Sequence, residues 1–236
     1  WQATFIAIGA LGFLWLIPWL IVYKAGPDAH PWIGEEERRF ILTGQRTSDA
    51  DDVADYAPSS REILSRKESW GVIMASFFLD PIWWLFVGWL PLYLNETYGF
   101  GVEQIASYAA VPYIGAMFGA WFGGLLAQNR IAAGWSVNRT RKTVIALGGA
   151  IMLVSLLSTT LASTPLIAVL LMAVILFGFQ TAVGNIQTLP SDFYSGKSVG
   201  SLSGFAGTAA KLAVVLLNFL IPVITATSYA PAFAVG

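Results

Sequence analysis

The segment VGSLSGFAGTAAKLAVVLLNFLIPVI, residues 199–224, is long and apolar enough to cross a membrane, yet it contains Lys211. A bilayer core of roughly 30 Å needs about 20 residues of helix to cross it. A lone span in lipid must be helical, because only a helix satisfies its backbone groups internally. The segment therefore predicts a transmembrane helix with Lys211 near mid-depth, about twelve residues from its start.

The composition of the whole chain agrees with this prediction. Hydrophobic residues make up 56% of the chain, charged residues only 11%, and the mean hydropathy is +0.65. Such a composition indicates a membrane protein. The net charge of −1 gives no reason to expect a nucleic-acid partner. Cysteine is absent and His30 is the single histidine, so we expect no metal site, no cofactor and no histidine-based catalysis.

The same length criterion predicts six spans and hence an all-α integral membrane protein. These spans are residues 3–23, 72–95, 103–127, 143–162, 166–189 and 199–224. The predicted organisation is one span (1–23), a polar connection (24–71) and a bundle (72–236). Within the connection, EEERRFILTG predicts a short surface helix beside an acidic, partly disordered centre.

Basic residues fix the predicted orientation. Every Lys and Arg except Lys211 falls in the connections on one side, whereas the opposite loops, NETYGFGVE and ASTP, contain none. By the positive-inside rule the basic side is cytoplasmic, which makes 24–71 a cytoplasmic loop. The chain starts at Trp1 and stops in an apolar run, so we expect it to be part of a longer protein.

A lysine at mid-depth needs a cavity or a partner, because it costs about 2.5–3.5 kcal/mol on insertion scales. One hypothesis is that Lys211 binds an anionic ligand. The other is a structural ion pair with Asp80, the only acid well inside another predicted span, and the two states can alternate. Asp80 precedes Pro81 and is also suited to cap a broken helical turn, while Trp84 is a possible sugar-stacking platform.

Two predicted spans carry polar faces. Helical projection gathers Gln180, Asn185 and Gln187 into one wedge of span 166–189. In span 199–224 the projection aligns Lys211 with Asn218 and with glycines that we interpret as packing residues. We expect Lys211 and the wedge to face the same cavity. The glycines interpreted as packing residues are Gly200 and Gly204, and Gly115, Gly119 and Gly123 in span 103–127.

Three stretches resemble the major facilitator superfamily of transporters, and within it the anion:cation symporters of the hexuronate transporter branch. They are LDPIWWLFVGWLPLYLNETYGF, GAMFGAWFGGLLAQNRIAAGWSVNRTRK and TLPSDFYSGKSVGSLSGFAGTAAK. They look like the seventh span, the eighth span with its basic loop, and the connection between the tenth and eleventh spans. The resemblance implies spans six to eleven and the start of the twelfth, a fragment of a twelve-helix fold. Gln128 departs from the family pattern, which often has an acid there.

The resemblance also implies a function: cation-coupled uptake of a sugar acid, such as a hexuronate, across the bacterial inner membrane by alternating access. Lys211 would neutralise the substrate carboxylate and Asp80 would be a weak candidate for coupling. The implied partners are the organic anion, a co-transported cation such as a proton, the missing N-terminal half and membrane lipid. The remaining implied substrate contacts are Gln180, Asn185, Gln187 and Asn218 for hydroxyls and Trp84 for stacking.

Two other classes of protein compete with a transporter. An enzyme is not expected, because the sequence lacks an HExxH motif, a histidine pair and a nucleophile elbow. A structural or sensory polytopic membrane subunit is the alternative, since polar stripes also hold membrane helices together. The buried lysine and the polar wedge on separate spans favour transport.

Overall fold

The computed structural model describes residues 2–24, 26, 30–46, 58–159, 162, 164–194 and 197–224. All regular secondary structure within these ranges is helical. The helices are α1 Gln2–Val22, α2 Glu35–Arg46, α3 Ser60–Ser65, α4 Lys67–Tyr98, α5 Val102–Ala132, α6 Val137–Thr159, α7 Pro165–Ile186, α8 Leu189–Phe193 and α9 Lys197–Ile224.

Six helices in the described part of the chain are long and apolar enough to cross a membrane, which confirms the predicted number of spans. They comprise α1, α4, α5, α6, α7 with α8, and α9. The short helix predicted in EEERRFILTG is α2, whose first turn holds Glu35, Glu36 and Glu37. Acidic residues there interact favourably with the positive end of the helix dipole.

The chain divides into two compact units, residues 1–56 and 57–236. The first unit contains α1 and α2, and no described residue of α1 is buried. An apolar helix with every side chain exposed is suited to a lipid environment. The second unit contains α3 to α9 and includes both Lys211 and Asp80.

Helix α7 is the central helix of the second unit, with half of its most apolar window buried. It packs on α5 through glycines: a Cβ added at Gly115 or Gly119 would overlap the backbone of Ala173 or Phe177. At Gly123 the added atom would lie 2.8 Å from the carbonyl oxygen of Thr181. The packing role predicted for these three glycines is therefore confirmed, and it is the small-residue contact that membrane helices favour.

Helices α4 and α9 form a second pair. Their contact near the basic end includes Val72 and Ile73 from α4 and Leu202 and Ala206 from α9. Near the same end, the Ser69 hydroxyl lies 2.9 Å from that of Tyr194, which ties the segment before α9 to α4. The pair thus holds α9 beside α4 along the face that carries Lys211.

Two local predictions on this pair are wrong. Helix α4 runs unbroken through Pro81, so Asp80 does not cap a broken turn. A Cβ added at Gly200 or Gly204 would meet nothing within 4 Å among the described residues, so these glycines are not packing residues in this unit. The face of α9 that they occupy is open, whereas the glycine face of α5 is closed.

Candidate functional site

Lys211 is paired with Asp80. The lysine Nζ lies 2.7 Å from the Asp80 Oδ2, and the two residues come from α9 and α4. The ion pair that the sequence left as one of two hypotheses is therefore present in this structure. This distance is at the short end of the range for a charge-assisted hydrogen bond. The net contribution of the pair to stability depends on how exposed the two side chains are.

Trp84 completes the cluster. Its indole Nε1 donates a hydrogen bond of 3.2 Å to the same Asp80 oxygen, and its ring centroid lies 4.8 Å from the Lys211 Nζ. Trp84 follows Asp80 by four residues, so both project from one face of α4. The ring therefore provides a cation–π contact for the ammonium beside its carboxylate partner.

The ion pair is open. The Lys211 side chain is 59% exposed and the Asp80 side chain 31% exposed. Ion pairs with this degree of exposure contribute only about 0–1 kcal/mol, because solvent competes for both charges. Among the described residues Asp80 is the one anion in contact with the ammonium, so the geometry leaves room for a second carboxylate at the lysine.

A cavity of about 260 Å³ lies beside the pair and is lined by both Asp80 and Lys211. Its polar lining also includes Ser76 from α4, Gln187 from the end of α7 and Ser203 from α9. Ligand pockets for drug-sized molecules are about 300–1,000 Å³, so this volume suits a small organic molecule. Within this unit the site combines one exposed cation, one carboxylate and several hydroxyl or amide groups.

Asn185 lies away from this cavity. It is 3% exposed, and its Nδ2 donates to the carbonyl oxygens of Thr181 and Gly123 at 3.1 and 3.4 Å. Its Oδ1 accepts a 2.9 Å hydrogen bond from Arg141. The amide of Asn185 is thus used between α7, α5 and α6, and the polar wedge does not face a single cavity with Lys211 as we expected.

A second ion pair, which the sequence analysis missed, lies at the basic end of the bundle. The Arg141 Nε lies 2.9 Å from the Asp192 Oδ2, and the two side chains are only 17% and 21% exposed. Arg141 lies in the second turn of α6 and Asp192 lies on α8, so the pair joins these two helices. Opposite charges in NRTRK and PSDF were the available signal, but nothing in the sequence paired them.

The remaining predicted contacts do not line the 260 Å³ cavity. Gln180 is half-buried on α7. Asn218 is exposed on α9, where its Oδ1 accepts a 3.4 Å bond from Trp89 and its Nδ2 donates to the Val214 carbonyl. The structure thus brings together Lys211, Asp80, Trp84 and Gln187, and it separates Gln180, Asn185 and Asn218 from them. Among the described residues no group of His, Cys, Asp and Glu is suited to hold a metal ion.

Comparison with known proteins agrees with the predicted resemblance. The profile of the Major Facilitator Superfamily matches residues 1–217. The chain belongs to this superfamily. It is accordingly a multi-pass integral membrane protein of a transporter superfamily, which is not a family of enzymes.

Several relatives of this chain are named as transporters or probable transporters of organic anions. The hexuronate transporter of Escherichia coli K12 is 33% identical over all of this chain and 54% of its own length. The galacturonate transporter of Dickeya chrysanthemi is 33% identical over 65% of this chain and 44% of its own length. A probable galactarate/D-glucarate transporter of E. coli K12 is 28% identical over 63% of this chain and 35% of its own length. The whole of this chain aligns with the hexuronate transporter of E. coli K12, but it spans only about half of that protein's length.

Proposed function

We propose that this chain is part of a secondary transporter that takes up a sugar acid, such as a hexuronate, together with a cation. The observation that carries the proposal is the ammonium of Lys211, placed deep in a predicted span and exposed on a cavity beside an exchangeable carboxylate. Ionisable groups at this depth are rare and mark substrate or ion pathways. The choice of substrate class is supported by relatives of this chain that are named as transporters of sugar acids.

Binding follows from the chemistry of the pair. A substrate carboxylate offers Lys211 the same group as Asp80 does, and the lysine has three N–H donors to share. Trp84 keeps Asp80 in place through the indole N–H while its ring remains beside the ammonium. Gln187 lines the same cavity and is suited to bind a sugar hydroxyl. Gln180 and Asn218 stay predictions for hydroxyl contacts, whereas the hydrogen-bonded amide of Asn185 favours a packing role.

Charge balance gives a reason for cation coupling. Lys211 and Asp80 together are neutral, so an entering anion leaves the site with one negative charge in a medium of low dielectric constant. A proton taken up by Asp80 would restore neutrality, and Asp80 is therefore the coupling candidate within this chain. Rocking of one repeat against the other around the midplane would then open the loaded site to the opposite side of the membrane.

The test is uptake of labelled glucuronate and galacturonate by the polypeptide that carries this segment in its source genome, expressed at full length. Lys211→Gln removes the positive charge, and we expect KM to rise at least tenfold because a hydrogen bond to a charged group is worth about 1.5–3 kcal/mol. Lys67→Gln is the matched control, since Lys67 is exposed at the start of α4 away from the cavity. An unchanged KM in Lys211→Gln would remove the lysine from the substrate site.

Two further outcomes separate transport from the alternatives. Asp80→Asn removes the carboxylate that competes for Lys211, so we expect tighter substrate binding together with weaker dependence on the proton gradient. Tighter binding with an unchanged gradient dependence would move coupling away from Asp80. Failure of the wild-type protein to take up any organic acid would refute transport and favour a structural or sensory subunit.

A further inference from the structure

The connection between α5 and α6 concentrates positive charge. Arg130 lies in the last turn of α5, and Arg139, Arg141 and Lys142 lie in the first turns of α6. Of these four cations, only Arg141 has a carboxylate partner among the described residues, namely Asp192. Four cations thus face one carboxylate, at the end of the bundle that the positive-inside rule assigns to the cytoplasm.

An aromatic ring holds two of these cations near each other. The Trp135 ring centroid lies 4.1 Å from the Arg139 guanidinium carbon and 4.9 Å from that of Arg130. Gly134, with φ of 86°, makes the turn that delivers Trp135 to this position. Cation–π attraction offsets part of the repulsion between the two guanidinium groups and leaves their N–H donors available. Such an arrangement is suited to receive an anion with several oxygen acceptors.

A cavity of about 290 Å³ lies between α6 and α8, and two of the four cations, Arg141 and Lys142, line it together with Asp192. Lys142 lies on its wall and follows Arg139 by three residues, so the two side chains are neighbours on the surface of α6. Four apolar side chains, Val137, Ile145, Leu189 and Phe193, and the polar Asn138 complete the wall. Arg139 and Lys142 thus form a basic strip at the edge of a cavity that also presents apolar side chains. Inorganic phosphate would use the basic strip alone.

We propose that this surface binds an anionic phospholipid of the cytoplasmic leaflet, with the lipid phosphate on Arg139 and Lys142 and an acyl chain along Ile145 and Phe193. Basic pockets between membrane helices on this side recognise anionic head groups, and each cation near an anionic leaflet adds to the attraction. Asp192 does not oppose binding strongly, because Arg141 neutralises it at 2.9 Å. The inference is independent of which substrate is transported.

The test is native mass spectrometry of the full-length polypeptide in detergent, titrated separately with phosphatidylglycerol, phosphatidylcholine and inorganic phosphate. We expect the wild-type protein to retain phosphatidylglycerol in preference to phosphatidylcholine. The double variant Arg139→Gln with Lys142→Gln should bind phosphatidylglycerol about tenfold more weakly. The control double variant Arg61→Gln with Lys67→Gln removes the same charge from exposed residues near the start of α4 and should bind like wild type.

Two single variants keep the test decisive if the double variant folds poorly. Lys142→Gln alters an exposed side chain and should weaken phosphatidylglycerol binding about threefold. Phe193→Ser should weaken lipid binding without changing binding of inorganic phosphate. Equal losses in both double variants would overturn the proposal in favour of general charge attraction. Inorganic phosphate that binds as tightly as the lipid and displaces it would overturn the proposal in favour of a free anion, and unchanged lipid binding in Lys142→Gln and Phe193→Ser would refute it directly.

Discussion

The α5–α7 contact and the α4–α9 contact differ in how closely the helices pack. In the first, glycines bring two backbones together so closely that a single added methyl group would overlap a carbonyl. In the second, the helices leave a cavity of about 260 Å³ with an ion pair on its wall. Close backbone packing leaves no room for rearrangement, whereas a cavity leaves room for a ligand. The α5–α7 contact is therefore suited to hold the bundle together, and the cavity at the α4–α9 contact is suited to bind and release a ligand.

The two interhelical ion pairs show the same contrast. Arg141 donates to both Asp192 and Asn185, and the Arg141–Asp192 side chains are 17% and 21% exposed. Lys211 has one carboxylate partner among the described residues, and that pair is 59% and 31% exposed. An ion pair with several partners and little exposure is costly to break, whereas an open one exchanges partners readily. Position in the bundle, rather than the type of charge, separates a structural role from a binding role.

The largest effect is expected at the closed contact. Gly119→Leu would force α5 away from the Phe177 backbone, and neither backbone can yield cheaply. Overpacking costs about 1–3 kcal/mol or more, and we expect loss of most of the monodisperse protein in fluorescence-detected gel filtration. Gly124→Leu is the matched control on the same helix, because a Cβ there meets nothing within 4 Å. Equal loss in both variants would contradict a special role for the glycine contact.

The next largest effect separates the two ion pairs. Arg141→Met leaves the mostly buried Asp192 and Asn185 without their cationic partner, which should cost about 1–3 kcal/mol and lower the Tm measurably. Lys211→Met removes an open pair and should change the Tm much less, while it weakens substrate binding. Thermal unfolding in detergent measures both variants. A larger loss of Tm for Lys211→Met would show that its ion pair is structural.

A smaller effect is expected for the amide of Asn185. Asn185→Ala removes an acceptor from Arg141 and two donors from the α5–α7 region, at a cost of about 1–2 kcal/mol. Asn218→Ala serves as the control, since Asn218 is exposed on α9. We expect a lower Tm for Asn185→Ala with an almost unchanged KM. A selective rise in KM without a change in Tm would return Asn185 to the substrate site.

The smallest effect is expected at the aromatic member of the cluster. Trp84→Phe keeps a ring beside Lys211 but removes the indole N–H that binds Asp80. A neutral donor to a charged acceptor at a partly exposed site is worth about 0.5–1 kcal/mol, so we expect KM to change two- to fivefold. Uptake kinetics measure the change. Complete loss of uptake at normal expression would indicate that Trp84 contacts the substrate directly.

The sequence identified the unusual residues of the site better than it predicted which residues lie close together in space. Lys211 and Asp80 stood out because a charge inside an apolar span has few explanations. Trp84 was predicted as a sugar-stacking platform, whereas its contacts with Asp80 and Lys211 were not predicted. The division of the polar wedge was not predictable, because helical projection assigns residues to one face without showing which neighbour covers which turn. Gln187 at the end of α7 reaches the cavity, whereas Asn185, half a turn earlier, meets α5 and Arg141.

By itself, the sequence determined the membrane environment, the six spans and the improbable lysine, because each depends on the local cost of placing polar groups in lipid. Only the tertiary structure decided that Lys211 meets Asp80 across 131 residues. It also decided that Gly115, Gly119 and Gly123 of α5 pack against α7, whereas Gly200 and Gly204 of α9 have no neighbour within 4 Å among the described residues. These outcomes depend on which helices become neighbours. Pairing of helices is set by complementary surfaces distributed over the whole bundle, and a single span does not contain that information.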